Sequence, residues 1–332
     1  MFKAETSLCA GDWIEVKTPA EVAETLDANG VLDGLPFMPE MAQFCGRRFR
    51  VLRKAEKTCL ETDGGAYLIR EFLHNDVVLL EGLRCAGDSH DGCQRLCTLL
   101  WKSAWLRKLT TENLRSEKAE KIEVTYEDFP FQLKTKISPE RYFCQSTELA
   151  KATRERPLTR VEILIKCYRE VRSGAVGVLE MASLVLVPLY RKVRDRLVGR
   201  PRLVGTLTRT PVGTLGLQPG ELVEIKSLEE MRETLDRNGR NRGLVCDIEL
   251  KKFCGQRYRV RGRLDRMISE ATGQMRRVEG TVVLDGNTCM CARALGGCPR
   301  LEFCYWREVW LKRVEEPMTQ PEEHCISSGA QR

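Results

Sequence analysis

The sequence predicts an α+β protein with two duplicated small SH3-like β-barrel domains, each carrying a Cys-rich metal loop, joined by a mostly helical middle segment. Three observations support this fold class: an internal repeat, short strand patterns inside each copy, and longer helical patterns between the copies. Gly11 to Lys17 returns as Gly220 to Lys226, and Phe44-Cys45-Gly46 returns 209 residues later. A repeat of about a hundred residues is domain-sized, so we interpret it as a duplicated domain.

Each copy begins with a strand and a capped helix. Trp13 to Lys17 alternates apolar and polar residues, which is typical of a half-buried strand. Thr18 and Glu21 then have the spacing of a capping box, and Ser227 with Glu230 repeats it. Several short β-like runs follow in both copies. Four or five short strands with one small helix per copy favour a strongly bent sheet or an SH3-like barrel.

The middle of the chain has a different pattern. Thr159 and Glu162 form a capping-box signal that predicts a helix running towards Arg172. Val176 to Tyr190 is strongly apolar but too short to span a bilayer, so we expect a buried core helix rather than a helix on a membrane surface. The predicted division has five parts. They are a first Cys-rich domain (1–110), a mostly helical segment (117–200), a linker (201–217), a second Cys-rich domain (218–316) and a disordered tail (317–332).

Charge and cysteine usage limit the class of protein. The 332 residues carry a formal net charge of +7, with a sequence pI of about 8.7. This excess favours contact with phosphate, an anionic polymer or a membrane surface. A protein partner is also possible, and nucleic-acid binding through basic barrels is an alternative. The first residues lack a secretory pattern, and a long chain with fifteen cysteines and no such pattern is expected to keep its thiols for metal or redox work. We therefore predict a cytoplasmic protein.

The first copy contains a compact cluster of possible metal ligands. Cys85, His90, Cys93 and Cys97 are spaced as C-x4-H-x2-C-x3-C, and Cys45 lies earlier in the same copy. Zinc takes four thiolate or imidazole ligands at tetrahedral corners, and a short glycine-bearing loop can supply several of them. The sequence therefore predicts a zinc site drawn from these five residues.

The second copy has a corresponding cluster. Cys254, Cys289 and Cys298 match Cys45, Cys85 and Cys93 of the first copy, and Cys291 is a candidate fourth ligand. An iron–sulfur cluster is an alternative to zinc, since its irons are also held by thiolates, and cysteines without metal are a third possibility. Four cysteines have no counterpart in the other copy and are expected to be ordinary core residues: Cys9, Cys144, Cys167 and Cys246.

Enzyme signals are few. The chain has three histidines, and none lies in a nucleophile elbow, a P-loop or an H-E-x-x-H run. We therefore expect a non-enzymatic, metal-stapled binding or accessory module. The alternative is a metal-dependent enzyme or redox protein in which the zinc or iron–sulfur site carries the chemistry.

Several motifs resemble a family of uncharacterised bacterial proteins with a duplicated Cys-rich domain. They are Met38-Pro39-Glu40-Met41 before Phe44-Cys45-Gly46, Gly92-Cys93 before Trp101 to Leu106, and Cys298-Pro299-Arg300 before Tyr305 to Leu311. The resemblance covers nearly the whole chain. It implies an accessory role in bacterial biosynthetic clusters and no established activity. The chain departs from the pattern at Cys304, which makes that residue a poor candidate ligand.

Overall fold

The computed structural model describes residues 8–61, 67–110, 124–155, 159–172, 174, 176–199, 203–213, 215–289 and 300–315. Within those residues six helices and many antiparallel strands form small sheets, which agrees with the predicted α+β class. Two hydrophobic cores, one in each copy of the repeat, account for most of the buried apolar residues described.

The first copy is built around a five-stranded sheet with the order β8-β7-β4-β1-β9. A separate hairpin of β5 and β6 follows β4 in the chain. The described elements of this copy are β1 (Trp13–Val16), α1 (Pro19–Ala23), β2 (Val31–Leu32), β3 (Leu35–Pro36), α2 (Pro39–Ala42), β4 (Arg48–Lys54), β5 (Lys57–Glu61), β6 (Tyr67–Phe72), β7 (Val77–Leu80), β8 (Trp101–Lys102) and β9 (Leu106–Lys108).

The middle segment combines strands and helices. Its elements are β10 (Lys136–Ser138), β11 (Arg141–Tyr142), α3 (Gln145–Glu148), β12 (Thr153–Arg154), α4 (Arg160–Arg172) and α5 (Val178–Leu197). β12 pairs with β6, so the segment extends a sheet of the first copy. The predicted capping box is present at α4, because Thr159 and Glu162 exchange side-chain and backbone hydrogen bonds.

The helix predicted from the apolar run after Val176 is present, but the expectation that it is a buried core helix was wrong. In α5 only Met181, Leu184 and Pro188 are buried among the residues whose side chains are described, whereas many large apolar residues are exposed. The helix packs on one side against α4, and the opposite side is exposed among the residues that the structure describes. None of the described helices is long and apolar enough to cross a membrane.

The second copy repeats the sheet of the first with the order β20-β19-β16-β13-β21. Each strand occupies the place of its counterpart in the first copy. The described elements are β13 (Leu222–Ile225), α6 (Leu228–Arg232), β14 (Arg240–Asn241), β15 (Leu244–Val245), β16 (Arg257–Arg263), β17 (Arg266–Ile268), β18 (Met275–Arg277), β19 (Thr281–Thr288), β20 (Phe303–Arg307) and β21 (Leu311–Arg313).

Equivalent side-chain contacts accompany the equivalent strands. Trp105 donates its indole N–H to Thr25 Oγ1 at 3.1 Å, and Trp310 donates to Thr234 Oγ1 at 2.9 Å. Both indoles are fully buried, so each needs this acceptor to avoid an unpaired donor in an apolar core. The two copies therefore share their internal packing as well as their strand order.

The segment predicted as a linker packs against the second copy. Leu207 pairs with Asp236 in a parallel bridge, and the buried carboxylate of Glu308 accepts backbone N–H bonds from Leu215, Gly216 and Leu217. A buried carboxylate needs such donors to offset the loss of water. These contacts fix the described part of the segment to the second core.

The two copies contact each other through a reciprocal pair of arginines. Arg95 and Arg300 occupy equivalent positions, because both lie two residues after the matched cysteines of the repeat. Arg95 donates to the carbonyl oxygen of Ile268 in the second copy at 3.3 Å. Arg300 donates to the carbonyl oxygen of Cys59 in the first copy at 2.9 Å. Cys59 and Ile268 are also 209 residues apart, so they are equivalent positions of the repeat. The arginine of each copy therefore donates to the equivalent carbonyl oxygen of the other copy.

Glu270 joins the two arginines. Its carboxylate lies 2.9 Å from Nη2 of Arg95 and 2.9 Å from Nη1 of Arg300. Glu302 also pairs with Nε of Arg300 at 2.9 Å, and Arg300 donates to Ser146 Oγ at 2.9 Å. The arginines and Glu270 are buried, so their charges are compensated mainly by one another.

We predict that Glu270→Gln lowers the free energy of unfolding by about 3–5 kcal/mol, because it leaves two buried guanidinium groups with one carboxylate fewer. Denaturant unfolding measures this change. Asp285→Asn is the matched control: Asp285 pairs with Arg261 at an exposed position, where an ion pair contributes about 0–1 kcal/mol. Equal losses in both variants would contradict the role given to Glu270.

Candidate functional site

A cavity lined by cysteines lies where the first copy, the middle segment and the second copy meet. The first copy supplies Cys85, Cys93 and Cys97, the middle segment supplies Cys144, and the second copy supplies Ile268 and Arg300. The cavity volume is about 30 Å³. This is room for about two water molecules, and therefore for a single ion but not for an organic substrate.

The loop between β7 and β8 places two of the thiols side by side. Arg84 and Thr98 form an antiparallel bridge, and Cys85 N–H donates to the Cys97 carbonyl oxygen at 2.8 Å. Cys85 and Cys97 are therefore opposite neighbours, with Cα atoms about 4.5–5.5 Å apart. Side chains of such a pair lie on the same face, which explains why both line the cavity.

Close backbone packing shapes the same loop. Gly87 has a φ of +79°, and a Cβ atom there would lie 2.0 Å from the Cys93 carbonyl oxygen. Only glycine fits at this position, since any side chain would both strain the backbone and overlap the carbonyl. This contact holds Cys93 close to the start of the loop.

The other two thiols are fixed by different partners. Cys93 Sγ accepts a hydrogen bond from the backbone N–H of Ile268 at 3.4 Å, so the second copy contacts the sulfur directly. Cys144 precedes α3, and its backbone N–H donates to Thr147 Oγ1 at 3.0 Å. Sequence reasoning missed Cys144, because it has no counterpart in the repeat and lies about fifty residues from the loop that it meets.

Burial raises the pKa of three of these thiols. It raises the pKa of Cys144 to about 11, and it also raises the pKa of Cys85 and Cys97 well above their ordinary value. The negative charge of Glu40 adds to the rise at Cys85, and that of Glu302 adds to the rise at Cys97. Arg95 and Arg300 oppose the rise at Cys97, but burial outweighs them, so these thiols favour the neutral form in the absence of metal.

His90 lies at the same cavity with both ring nitrogens in hydrogen bonds. Nδ1 is 2.6 Å from Glu40 Oε1, and Nε2 donates to the Phe143 carbonyl oxygen at 3.0 Å. Burial alone lowers the pKa of His90, but the hydrogen bond and charge of Glu40 outweigh it, so this pKa is raised. Both nitrogens of His90 are thus engaged, and one of these bonds must break before the ring can bind a metal.

Glu40 leaves one polar atom unpaired. Its Oε1 accepts from His90 and from the backbone N–H of Ser89, but the buried Oε2 has no hydrogen-bond partner among the described residues. A buried acceptor without a partner costs about 1–3 kcal/mol. The charge of this carboxylate also contributes to the raised pKa of the Cys85 thiol.

The remaining predicted ligands lie elsewhere or outside the described residues. Cys45 is buried in the first core, where burial raises its pKa to about 12, and it does not line the cavity. Cys254 Sγ lies 3.7 Å from the Leu250 carbonyl oxygen, and Cys289 N–H donates to the Glu302 carbonyl oxygen. Cys291 and Cys298 lie outside the described residues, so the predicted site of the second copy stays a prediction.

Over the part of the chain that the structure describes, no group of three or more histidine, cysteine, aspartate or glutamate side chains is already arranged to hold a metal ion. The four thiols share one cavity without standing in ligand geometry. Comparisons with protein-family models, with curated proteins and with solved structures found no match for the chain. The geometry of the cavity is therefore the main guide to function.

We predict that Glu40→Gln destabilises the fold by about 3–5 kcal/mol, because it removes the charged partner of buried His90. The raised pKa means that protonated His90 stabilises the fold below about pH 6.5 and that this contribution is lost as pH rises through the raised pKa. The variant should therefore lose pH dependence in this range.

Proton NMR titration of the three histidines, together with denaturant unfolding at several pH values, measures both effects. His74→Gln is the control, since His74 is exposed, and its replacement should change stability by less than about 0.5 kcal/mol. An unchanged His90 titration in Glu40→Gln would refute the pairing.

Because burial raises the pKa of these thiols, we predict that the metal-free, reduced protein loses stability at high pH. The unfolded chain releases the Cys144 proton near pH 9 and the folded chain near pH 11, so the fold is favoured below pH 9 and loses this advantage as pH rises. One pKa unit corresponds to about 1.4 kcal/mol, so Cys144 accounts for roughly 2–3 kcal/mol of the change.

Cys144→Ala should therefore flatten the dependence of unfolding free energy on pH over this range. Cys9→Ala replaces an exposed cysteine and should keep the wild-type slope. The same slope in wild type and Cys144→Ala would show that Cys144 ionises as easily in the folded chain as in the unfolded one.

Proposed function

We propose that the chain is a non-enzymatic binding module whose cysteine cavity holds one zinc ion, with Cys85, Cys93, Cys97 and Cys144 as ligands. The observation that carries this proposal is that four thiols from two separate segments line one cavity of single-ion size. Four thiolates form one of the common ligand sets of structural zinc.

The chemistry of the donors supports this choice. Zinc binds thiolates, so it would displace protons that burial otherwise keeps on Cys85, Cys97 and Cys144. The backbone N–H of Ile268 already donates to Cys93 Sγ, and such outer-shell bonds favour the thiolate form of a ligand.

This ligand set replaces part of the one expected from the repeat. Cys144 takes the place of Cys45, which lies in the first core. His90 is not a ligand in this set, and its pair with Glu40 holds the loop in position. Because the cavity is walled by both copies, a bound ion would link the docking of the copies to the folding of the loop. We interpret each five-stranded sheet as an SH3-like half-barrel closed by this contact.

An alternative chemistry follows from the facing pair in the loop. Cys85 and Cys97 are opposite neighbours at a Cα separation that suits a disulfide as well as two metal ligands. A redox role would make this pair switch between dithiol and disulfide. Purification without oxygen, followed by thiol counting before and after exposure to oxidant, separates this role from metal binding.

We predict about one zinc per chain in protein purified without oxygen. Elemental mass spectrometry measures the metal, and an absorption spectrum of the same sample detects iron. Cys93→Ser and Cys144→Ser should each lose the zinc and lower the melting temperature, because metal binding and local folding share one free energy. Cys167→Ser is the control, since Cys167 is a buried cysteine of the helical segment, away from the cavity.

Three other outcomes of the metal measurement would lead to different conclusions. A second zinc would assign the untested cysteines of the second copy to a site of their own. Iron with a visible band would make this an iron–sulfur protein. Absence of metal in the wild type, with unchanged melting in both cavity variants, would overturn the proposal.

A further inference from the structure

The two long helices of the middle segment each expose an apolar face. In α4 the exposed apolar residues Val161, Leu164, Ile165 and Tyr168 follow the spacing i, i+3, i+4, i+7. This spacing places them on one face of the helix. Tyr168 is 62% exposed, so the face is open to solvent over much of its area.

Helix α5 has a second face of the same kind. At 3.6 residues per turn, Leu179, Leu186, Tyr190, Val193 and Leu197 fall within a sector of about 60°. Leu179 is 87% exposed and Leu197 is 80% exposed, so the stripe runs the whole length of the helix. We call the exposed apolar residues of α4 and α5 the hairpin face.

The buried side of each helix holds the hairpin to the protein. In α4, Lys166 lies 2.7 Å from Glu71, and Glu170 lies 2.8 Å from Arg53, both in the first copy. Soluble domains rarely leave a large contiguous apolar patch uncovered unless it binds a partner. The hairpin face is therefore expected to have a partner.

Basic residues flank the apolar stripe. By the same helical geometry, exposed Arg196 lies beside one edge of the α5 stripe, and Arg194, which pairs with Asp195, lies beside the other. Residues 160–199 contain eight basic and four acidic side chains, so the hairpin has a positive excess. An apolar stripe with basic edges is typical of helices that lie in the interface of an anionic membrane.

We propose that the hairpin face binds an anionic lipid surface, with the apolar stripe in the acyl boundary and the basic edges on lipid headgroups. Charge decides between this partner and a second copy of the chain. Two copies carry the same positive excess and repel each other, whereas anionic lipids attract it. The helices lie along the surface, since no described helix is long and apolar enough to cross a membrane.

Sedimentation of the full chain with phosphatidylcholine vesicles, with and without phosphatidylserine, tests the proposal. The wild type should bind vesicles that contain phosphatidylserine, and binding should weaken as salt is raised. Each basic residue near such a surface strengthens binding about fivefold, so Arg196→Gln should bind about fivefold more weakly. Leu186→Asp with Val193→Asp should remove binding.

Val245→Asp is the matched control, because Val245 is an exposed apolar residue of the second copy. It should bind like the wild type. All substituted residues are exposed, and circular dichroism confirms that each variant is folded. Three results would overturn the proposal: no sedimentation with either vesicle, equal binding to both kinds of vesicle, or equal loss of binding in the Val245→Asp control. Self-association by ultracentrifugation, without vesicle binding, would assign the face to a second copy.

Discussion

The buried charge of Glu270, shared between Arg95 and Arg300, is the interaction on which the rest of this structure depends. Arg95 lies between Cys93 and Cys97 in the chain, so the residue that docks the first copy on the second also fixes two thiols of the cavity. The Ile268 carbonyl accepts from Arg95 and its N–H donates to Cys93 Sγ. The same contacts therefore dock the two copies and shape the cavity. The charges in these contacts are buried, so they must be paired.

Local signals in the sequence predicted local structure well. The capping boxes at Thr18 and Ser227 form as expected, because the interaction is contained within four residues. The spacing of Cys85, Cys93 and Cys97 also indicated that these cysteines of the first copy lie together, and all three line the cavity. Contacts between distant segments were harder to predict. Cys144 reaches the cavity only because α3 packs beside the loop, and no periodicity or spacing in a single sequence encodes that approach.

The helical segment shows a different limit of sequence analysis. An apolar run indicates that side chains avoid water, but it does not say which surface covers them. Leu186 and Val193 have the hydrophobicity of core residues, yet they lie on the side of α5 opposite to its contact with α4. The basic residues beside the stripe were the missing signal, because Arg194 and Arg196 flank the exposed apolar residues on either side.

The exchange of equivalent contacts between the copies has a consequence for how the protein assembles. Arg95 bonding Ile268 and Arg300 bonding Cys59 is the pattern of an isologous interface, which normally joins two separate subunits. Here one polypeptide carries both sides. The encounter of the two copies is thus intramolecular, with an effective concentration set by the connecting segment rather than by the amount of protein. The cavity at this interface therefore stays formed on dilution, under conditions in which a pair of separate single-copy chains would dissociate.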